Sequence, residues 1–183
     1  MLLRLCSKFR KAQSSLQRGF TEEVAPIFAA LILTEVICEF RDNKQDLTVI
    51  LLDAEKAFDT VWHTGLFRKL YLMGLPADLW KILRDWYRGF QCQIRWLGSF
   101  SAPFLVKQGN FQGSGLSPNL FKVDNNDALL EVQSRHLGAK IGTVCCSIPT
   151  CADDEAVLAD THSGDAQRII DINVRHTNRD RRT

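Results

Sequence analysis

Cys151-Ala152-Asp153-Asp154 sets two adjacent carboxylates between apolar runs, and Leu51-Leu52-Asp53-Ala54-Glu55-Lys56-Ala57-Phe58-Asp59 supplies a third, Asp53, at the end of another apolar run. Three convergent carboxylates can hold two Mg2+ ions, because hard divalent cations take oxygen ligands. A cation pair about 4 Å apart clamps the attacking and leaving oxygens of an in-line phosphoryl displacement, so nucleotidyl transfer is the chemistry within reach. On the aspartate pair alone, a solvated turn or a helix start is the commoner use of adjacent aspartates, and that alternative stays open here.

Such carboxylates need rigid carriers. Residues 47–52 form a short apolar run with Thr48, Val49 and Ile50, long enough for a buried strand that would deliver Asp53 at its end. Residues 139–146 and 156–158 are the remaining strand candidates, which would put Asp153-Asp154 in or beside the tight turn of the last hairpin. Thr21-Glu22-Glu23 reads as a helix start, and Val24, Ile27, Phe28, Leu31, Ile32, Val36 and Phe40 then recur at helical spacing, predicting an amphipathic helix over roughly 22–41. Helical periodicity over 66–73 and 78–87 is broken by Gly74-Leu75-Pro76. Segments 91–96 and 102–106 flank Gly98-Ser99 in the manner of a hairpin. The glycine-dense stretch Gln108-Gly109-Asn110-Phe111-Gln112-Gly113-Ser114-Gly115 ends at Ser117-Pro118, an N-cap followed by proline, which predicts a helix over about 118–133.

Composition sets the outer bounds. With 183 residues, 45% of them hydrophobic and 24% charged, the chain is long enough for one domain with a real core and is not a disordered sequence. Net charge is only +2, but its distribution is uneven: Arg4, Lys8, Arg10, Lys11 and Arg18 stand without an acid in the first twenty residues. The far end, Arg175-His176-Thr177-Asn178-Arg179-Asp180-Arg181-Arg182, lacks apolar periodicity and reads equally as a phosphate-contacting arm or a solvated tail. The six cysteines form no CxxC pair and no secretory leader precedes them, so neither a zinc knuckle nor a disulfide framework is indicated. The apolar stretch around 29–33 is too short to cross a bilayer and is cut by Glu35 and Glu39, so no membrane partner is expected.

Taken in order, Leu52-Asp53-Ala54-Glu55-Lys56-Ala57-Phe58-Asp59, the loop from Gln108 to Pro118, and Ala152-Asp153-Asp154 resemble the reverse transcriptases of non-LTR (LINE-type) retrotransposons. The resemblance covers about residues 17–160, beginning with Gln17-Arg18-Gly19-Phe20-Thr21, which is similar to the family's lead-in to the fingers helix. It implies an α+β fold, a polymerase palm whose antiparallel sheet is backed by helices, with partial fingers. The implied layout is partial fingers over 1–46, palm over 47–160 with interleaved fingers helices at about 65–90, and a basic, poorly ordered C-terminal tail over 161–183. Asp53 matches the first catalytic aspartate, Asp153 the second metal ligand and Asp154 its acidic neighbour, with Mg2+ (two ions) as cofactor. Phe58 matches the aromatic residue that packs under the sugar and favours deoxynucleotides, although on the residues alone a plain core phenylalanine is the preferred reading. Gln112 and Gly113 match the loop lining the nucleotide pocket. The implied activity is RNA-directed DNA polymerisation, with RNA template, DNA primer and deoxynucleoside triphosphates as partners, and target-primed insertion implies nuclear action. The Asp53 and Asp153 carboxylates are expected within reach of one shared cation.

Several positions depart from the family pattern. Cys151 precedes the aspartate pair where an aromatic is usual, Asn110-Phe111 replaces a commonly basic position, and Asp124 stands where the family tends to have an aromatic. Glu155 is a third consecutive acid at a strand position that should face the core, costly to bury unless it turns to solvent or to metal. Fingers strands before Gln17, and a primer grip, thumb and endonuclease beyond Asp160, are expected to be missing. A catalytically inactive remnant, at most a weak nucleic-acid-binding module, is therefore the rival reading. Glu55 and Lys56 read as a solvated ion pair, and Asp59 as structural ahead of catalytic.

Overall fold

The computed structural model describes residues 8–21, 24–111 and 113–179. After a helical turn at 8–12, the order is α1 (Ile27–Asp42), β1 (Leu47–Leu52), α2 (His63–Leu72), α3 (Ala77–Tyr87), four two-residue strands β2 (Gln91–Cys92), β3 (Arg95–Trp96), β4 (Ser99–Phe100) and β5 (Phe104–Leu105), α4 (Ser117–Ser134), β6 (Lys140–Ile141), β7 (Val144–Cys145), β8 (Thr150–Cys151), β9 (Asp154–Asp160) and α5 (Asp165–Arg179). It is an α+β fold with an open antiparallel sheet in the order β1-β9-β8, and the pairs β2–β5, β3–β4 and β6–β7 are separate.

The central sheet is set by one register, Leu47 opposite Asp160 through Leu52 opposite Glu155. Side chains alternate along a strand, so Ile50, Leu52 and Val157 share one face and Leu47 and Leu158 the other. The first face packs on Ala128, Leu129 and Val132 of α4 and on Ile169 and Ile172 of α5. The second meets Val36 and Phe40 of α1 together with Ala139 and Cys146. The forward half of α4, with Leu120, Phe121 and Val123, joins a third core with Leu66, Leu70, Leu79, Leu83 and Tyr87 of α2 and α3. Helix α4 therefore links both halves of the molecule.

Four expectations are corrected. Helix α1 starts at Ile27, with Pro26 in the N-cap position, because proline fits a first turn and cannot donate further inside; Glu22 and Glu23, placed in the first turn by sequence, lie outside the described residues. Helix α4 begins one residue early, with Leu116 as N-cap, and the Ser117 hydroxyl bonds the Phe111 carbonyl instead of capping. Segment 139–146 is not one strand but the β6–β7 hairpin, turned at Gly142 with φ 57°. Residues 165–179, read as a poorly ordered tail, form α5: Ile169 and Ile172, three apart on one helical face, are both buried against the sheet and α4. That stripe is too short to stand out among the surrounding charges.

Charge fastens α5 as well. Glu131 of α4 accepts from His176 Nε2 and Arg175 Nη2, each at 2.7 Å, and lies 2.7 Å from Arg135 Nη2. The His176 hydrogen bond, then Arg175, hold the Glu131 carboxyl below the usual carboxylate range against the opposing effect of desolvation. A lowered folded pKa stabilises above the unfolded value and is lost as pH falls through the folded one. Glu131→Gln should thus lower Tm by about 2–4 °C at neutral pH. The gap to the parent should close as pH drops below the carboxylate range, and a gap that persists at acid pH would contradict this linkage.

The N-terminal segment is threaded against the aspartate hairpin. Gln17 forms a parallel bridge with Thr150, Arg18 N donates to Thr150 O at 2.7 Å, and Thr150 N donates to Leu16 O at 2.9 Å. Ala152, at φ 65°, turns the chain from β8 to β9, and the buried Gln17 amide holds it by accepting from Ala152 N at 3.1 Å and donating to Ala152 O at 3.0 Å. Gly19 lies so close that an added Cβ would overlap Ala152 N and come within 2.7 Å of Ala152 Cα and 2.8 Å of Cys151 C. These are backbone atoms with no rotamer to yield. Gly19→Ala should cost about 1–3 kcal/mol, read from the urea midpoint, and an unchanged midpoint would refute the close approach.

Candidate functional site

Strand β1 releases Asp53 immediately after Leu52, which faces Glu155 across the sheet, and the Ala152 turn releases Asp153 just before β9. Both aspartates line one cavity of about 640 Å3, together with Glu55, Asp124, Glu155, Asn173 and His176. Asp154 is exposed and borders a different groove of about 290 Å3, between the sheet and α1, which Asp53 also borders. Strand alternation explains the separation of Asp153 from Asp154. The sequence triad is brought to one sheet end, with Asp53 shared between the two sides.

The acids of the cavity differ in what they already hold. Asp124 is paired with Lys69 of α2 at 3.2 Å, and the two side chains are 19% and 11% exposed. Glu155 accepts from Asn125 Nδ2 at 2.8 Å and from Asn173 Nδ2 at 2.7 Å. Burial raises the Glu155 pKa, and the two amide donors oppose that rise. Glu55 lies 4.0 Å from Lys56 with both side chains exposed, the solvated pair expected of them. Asp53 and Asp153, by contrast, make no hydrogen bond or ion pair among the described residues. They are the unspent carboxylates.

Among the described residues, no group of three or more His, Cys, Asp and Glu side chains is gathered closely enough to hold a metal ion. The donor chemistry of the cavity nonetheless suits a hard divalent cation, because Asp53 and Asp153 offer carboxylate oxygens alone and no sulfur ligand lines the cavity.

Phe58 is half-buried, stacked on Phe121 at 4.8 Å between ring centroids and edge-on to Phe20 at 5.9 Å. Phe121 lines the carboxylate cavity; Phe58 lies against it on the core side. The glycine loop is seated on the segment that follows Asp53: Gly109 N donates to Val61 O at 2.7 Å, Asn110 N to Phe58 O at 2.8 Å, and the His63 ring nitrogen lies 2.7 Å from Gly109 O. Burial lowers the His63 pKa, and the hydrogen bond to Gly109 O opposes that shift. Asp59 contributes its backbone, which stands 3.1 Å from where a Gly109 Cβ would sit, in keeping with a structural role. Gly113 has φ +81° with open space around it, so glycine is there for its backbone freedom. Gln112 lies outside the described residues.

The departures from the family pattern have local explanations. Asn110 is buried, with Tyr87 Oη at 3.4 Å from its Oδ1, and Phe111 packs on Tyr87 and Phe90 at 4.7 and 4.5 Å, so this pair fills the core where a cation would have been offered outward. Glu155 is received by the amide clamp of Asn125 and Asn173. Sequence reasoning missed Asn125, Asn173 and the Gln17–Gly19 brace. Asn125-Asn126 inside a helix was the available signal, since mid-helix asparagine is unfavourable unless its side chain has work elsewhere.

The family model described as reverse transcriptase (RNA-dependent DNA polymerase) matches residues 1–180. The chain is 29% identical over 148 residues to the Pol polyprotein from the type-2 retrotransposable element R2DM of Drosophila melanogaster, covering 81% of this chain and 14% of that protein. It is 31% identical over 111 residues to the probable RNA-directed DNA polymerase from transposon BS of the same fly, covering 61% of this chain and 12% of that protein. It is 32% identical over 120 residues to the RNA-directed DNA polymerase from mobile element jockey of Drosophila funebris, covering 66% and 13%. The chain thus spans a small part of the curated relatives it matches. In fold it is similar to apo telomerase from Candida tropicalis truncated from the C-terminal domain, with a TM-score of 0.64 and 15% identity, over 95% of this chain and 36% of that one. The chain belongs to the reverse transcriptase (RNA-dependent DNA polymerase) family and is similar to the reverse transcriptases of non-LTR, LINE-type retrotransposons.

Proposed function

We propose that this chain carries the palm of an RNA-directed DNA polymerase, adding deoxynucleotides to a DNA primer 3′-hydroxyl along an RNA template, with two Mg2+ ions as cofactor. The observation that carries the reading is the pair Asp53 and Asp153: distant in sequence, delivered by adjacent strands, uncommitted, and facing one carboxylate-lined cavity. These two would hold Mg2+, with Asp154 bordering the groove that Asp53 also borders. When bound, the cations supply acidification of the primer hydroxyl and neutralise charge on the pyrophosphate leaving group.

The chain's own residues account for the remaining requirements, which are largely positional. The Phe58–Phe121 stack would form the wall beneath the sugar, and the loop with Gln112 and Gly113 would border the incoming nucleotide, held in place through Gly109 and Asn110. Lys69 and the two asparagines keep Asp124 and Glu155 from competing for a cation. On this reading residues 47–160 are the palm, with α5 as part of its backing layer, and residues up to 46 contribute to the fingers. No helix among the described residues is long and apolar enough to cross a membrane; by its family's manner of insertion the enzyme would act in the nucleus.

A second reading, the inactive remnant, is favoured by one observation, the lack of a three-ligand group among the described residues. Primer extension with Mg2+ on RNA and DNA templates separates the two. Asp53→Asn or Asp153→Asn should reduce extension by a factor on the order of 100 or more, since each removes several kcal/mol of transition-state stabilisation. Full activity in both variants would sink the site assignment. Calorimetric Mg2+ binding that persists in the parent, disappears in either variant and yields no extension would instead identify the remnant.

A further inference from the structure

Helices α2 and α3 enclose a second cavity, of about 750 Å3, that shares no residue with the carboxylate cavity. Its lining is of opposite character. Arg68, Arg84 and Arg88 border it with Tyr71 and Trp80, and no carboxylate does. Trp80 and Arg84, four apart on α3, form one stripe facing Arg68 and Tyr71, three apart on α2, and Arg88 borders the same cavity from just past the end of α3, where the backbone is extended.

The stripe is organised as a platform with cations beside it. Trp80 Nε1 donates to Phe67 O at 2.8 Å, which fixes the indole, and Tyr71 meets it edge-on at 6.2 Å. The Arg84 guanidinium lies over the Trp80 ring face, 4.7 Å from its centroid, and its Nε is buried with no hydrogen-bond partner among the described residues. One Arg84 Nη lies 3.5 Å from the exposed Asp85. Arg68 and Arg88 are exposed and make no ion pair among the described residues, and Tyr71 is 68% exposed. Beyond its edge-on contact with Trp80, the Tyr71 ring is left to solvent beside two cations without ion pairs among the described residues.

We propose that the α2–α3 cavity binds single-stranded nucleic acid, seating a base against the exposed ring of Tyr71, which Trp80 supports edge-on, and the flanking phosphates on Arg68, Arg84 and Arg88. Cations alone would suit any polyanion; the ring platform selects a ligand with π-faces between its phosphates. A duplex hides those faces in its stack, so the ligand is single-stranded. The site uses no metal and stands apart from the catalytic reading.

Fluorescence anisotropy of a labelled oligo(dT) or oligo(U) of about 12 nucleotides, titrated with the full chain in EDTA, tests it. The double variant Arg68→Ala with Arg88→Ala should bind at least tenfold more weakly, with a log–log salt slope shallower by about 0.7 for each phosphate no longer neutralised. Tyr71→Ala should weaken binding about tenfold and leave the slope unchanged. All three side chains are exposed, and unchanged thermal melts will show that the fold is intact. Parental affinity in both variants, absence of binding in EDTA or in Asp153→Asn, or equal displacement by polyglutamate would each overturn the proposal. Failure of primer extension leaves this test standing, and failure of this test leaves primer extension standing.

Discussion

The antiparallel pairing of β1 with β9 is the constraint on which the candidate site depends. Leu52 opposite Glu155 fixes where Asp53 and Asp153 emerge, and a slip of one residue would turn every side chain of one strand to the other face. Both faces resist such a slip. Val157 and Ile50 are held by α4 and α5, and Leu158 is buried against Val36 and Phe40 of α1. Closing the long chain between the two strands costs entropy that grows only logarithmically with length, so inserting α2, α3 and α4 between them adds little to that cost. Their packing contributes far more. The sheet end is nevertheless not fully covered: Leu51, on the α1 face beside Asp53, is 73% exposed.

Side-chain amides solve the polar problems that this pairing creates. A hairpin turning through Ala152 at positive φ has backbone groups that the sheet cannot satisfy, and Gln17 meets both the N–H and the carbonyl of that residue. Asn126 does the same for the N-terminal segment, accepting from Ser14 N at 2.7 Å and donating to Ala12 O at 2.9 Å. Asn125 and Asn173 receive Glu155. An orphaned buried polar group costs about 1–3 kcal/mol, so each amide matters more for the gap its removal would leave than for the bond it forms. All four belong to elements that frame the β8–β9 turn.

The legible parts of this chain are those whose signal is local. The β-branched run ending at Leu52 and the Ser117-Pro118 helix start announce themselves within a few residues, and so does the placement of Asp53 at a strand end and of Asp153 beside a hairpin turn. What escapes a sequence reading depends on distant partners. Gly19 reads as an ordinary turn glycine until Ala152 is set against it, and Ile169 and Ile172 read as two stray apolar residues until the sheet face above them is known. Glu155 looks like a fault in a core-facing strand because its two asparagines come from separate helices. Pattern reading sees periodicity along the chain; it does not see complementarity between segments that meet only on folding.

Helix α2 connects the acidic and basic sides of the molecule and keeps them electrically separate. Its first residue, His63, whose pKa burial lowers, ties down the glycine loop by Gly109. Lys69, further along, meets Asp124 of α4 with both side chains largely shielded from water. Breaking such a pair would leave an uncompensated charge in a poorly solvated place, a cost of about 3–5 kcal/mol, so the two are held together. The consequence reaches the site: with Asp124 spent on Lys69 and Glu155 on its amides, the negative potential of the cavity is left to Asp53 and Asp153, beside the solvated Glu55. Arg68, one residue before Lys69 in the chain, points to the opposite cavity, because successive helical positions are turned about 100° apart. A single turn of α2 thus sets one cation to neutralise the acidic cavity from behind and another to line the basic one.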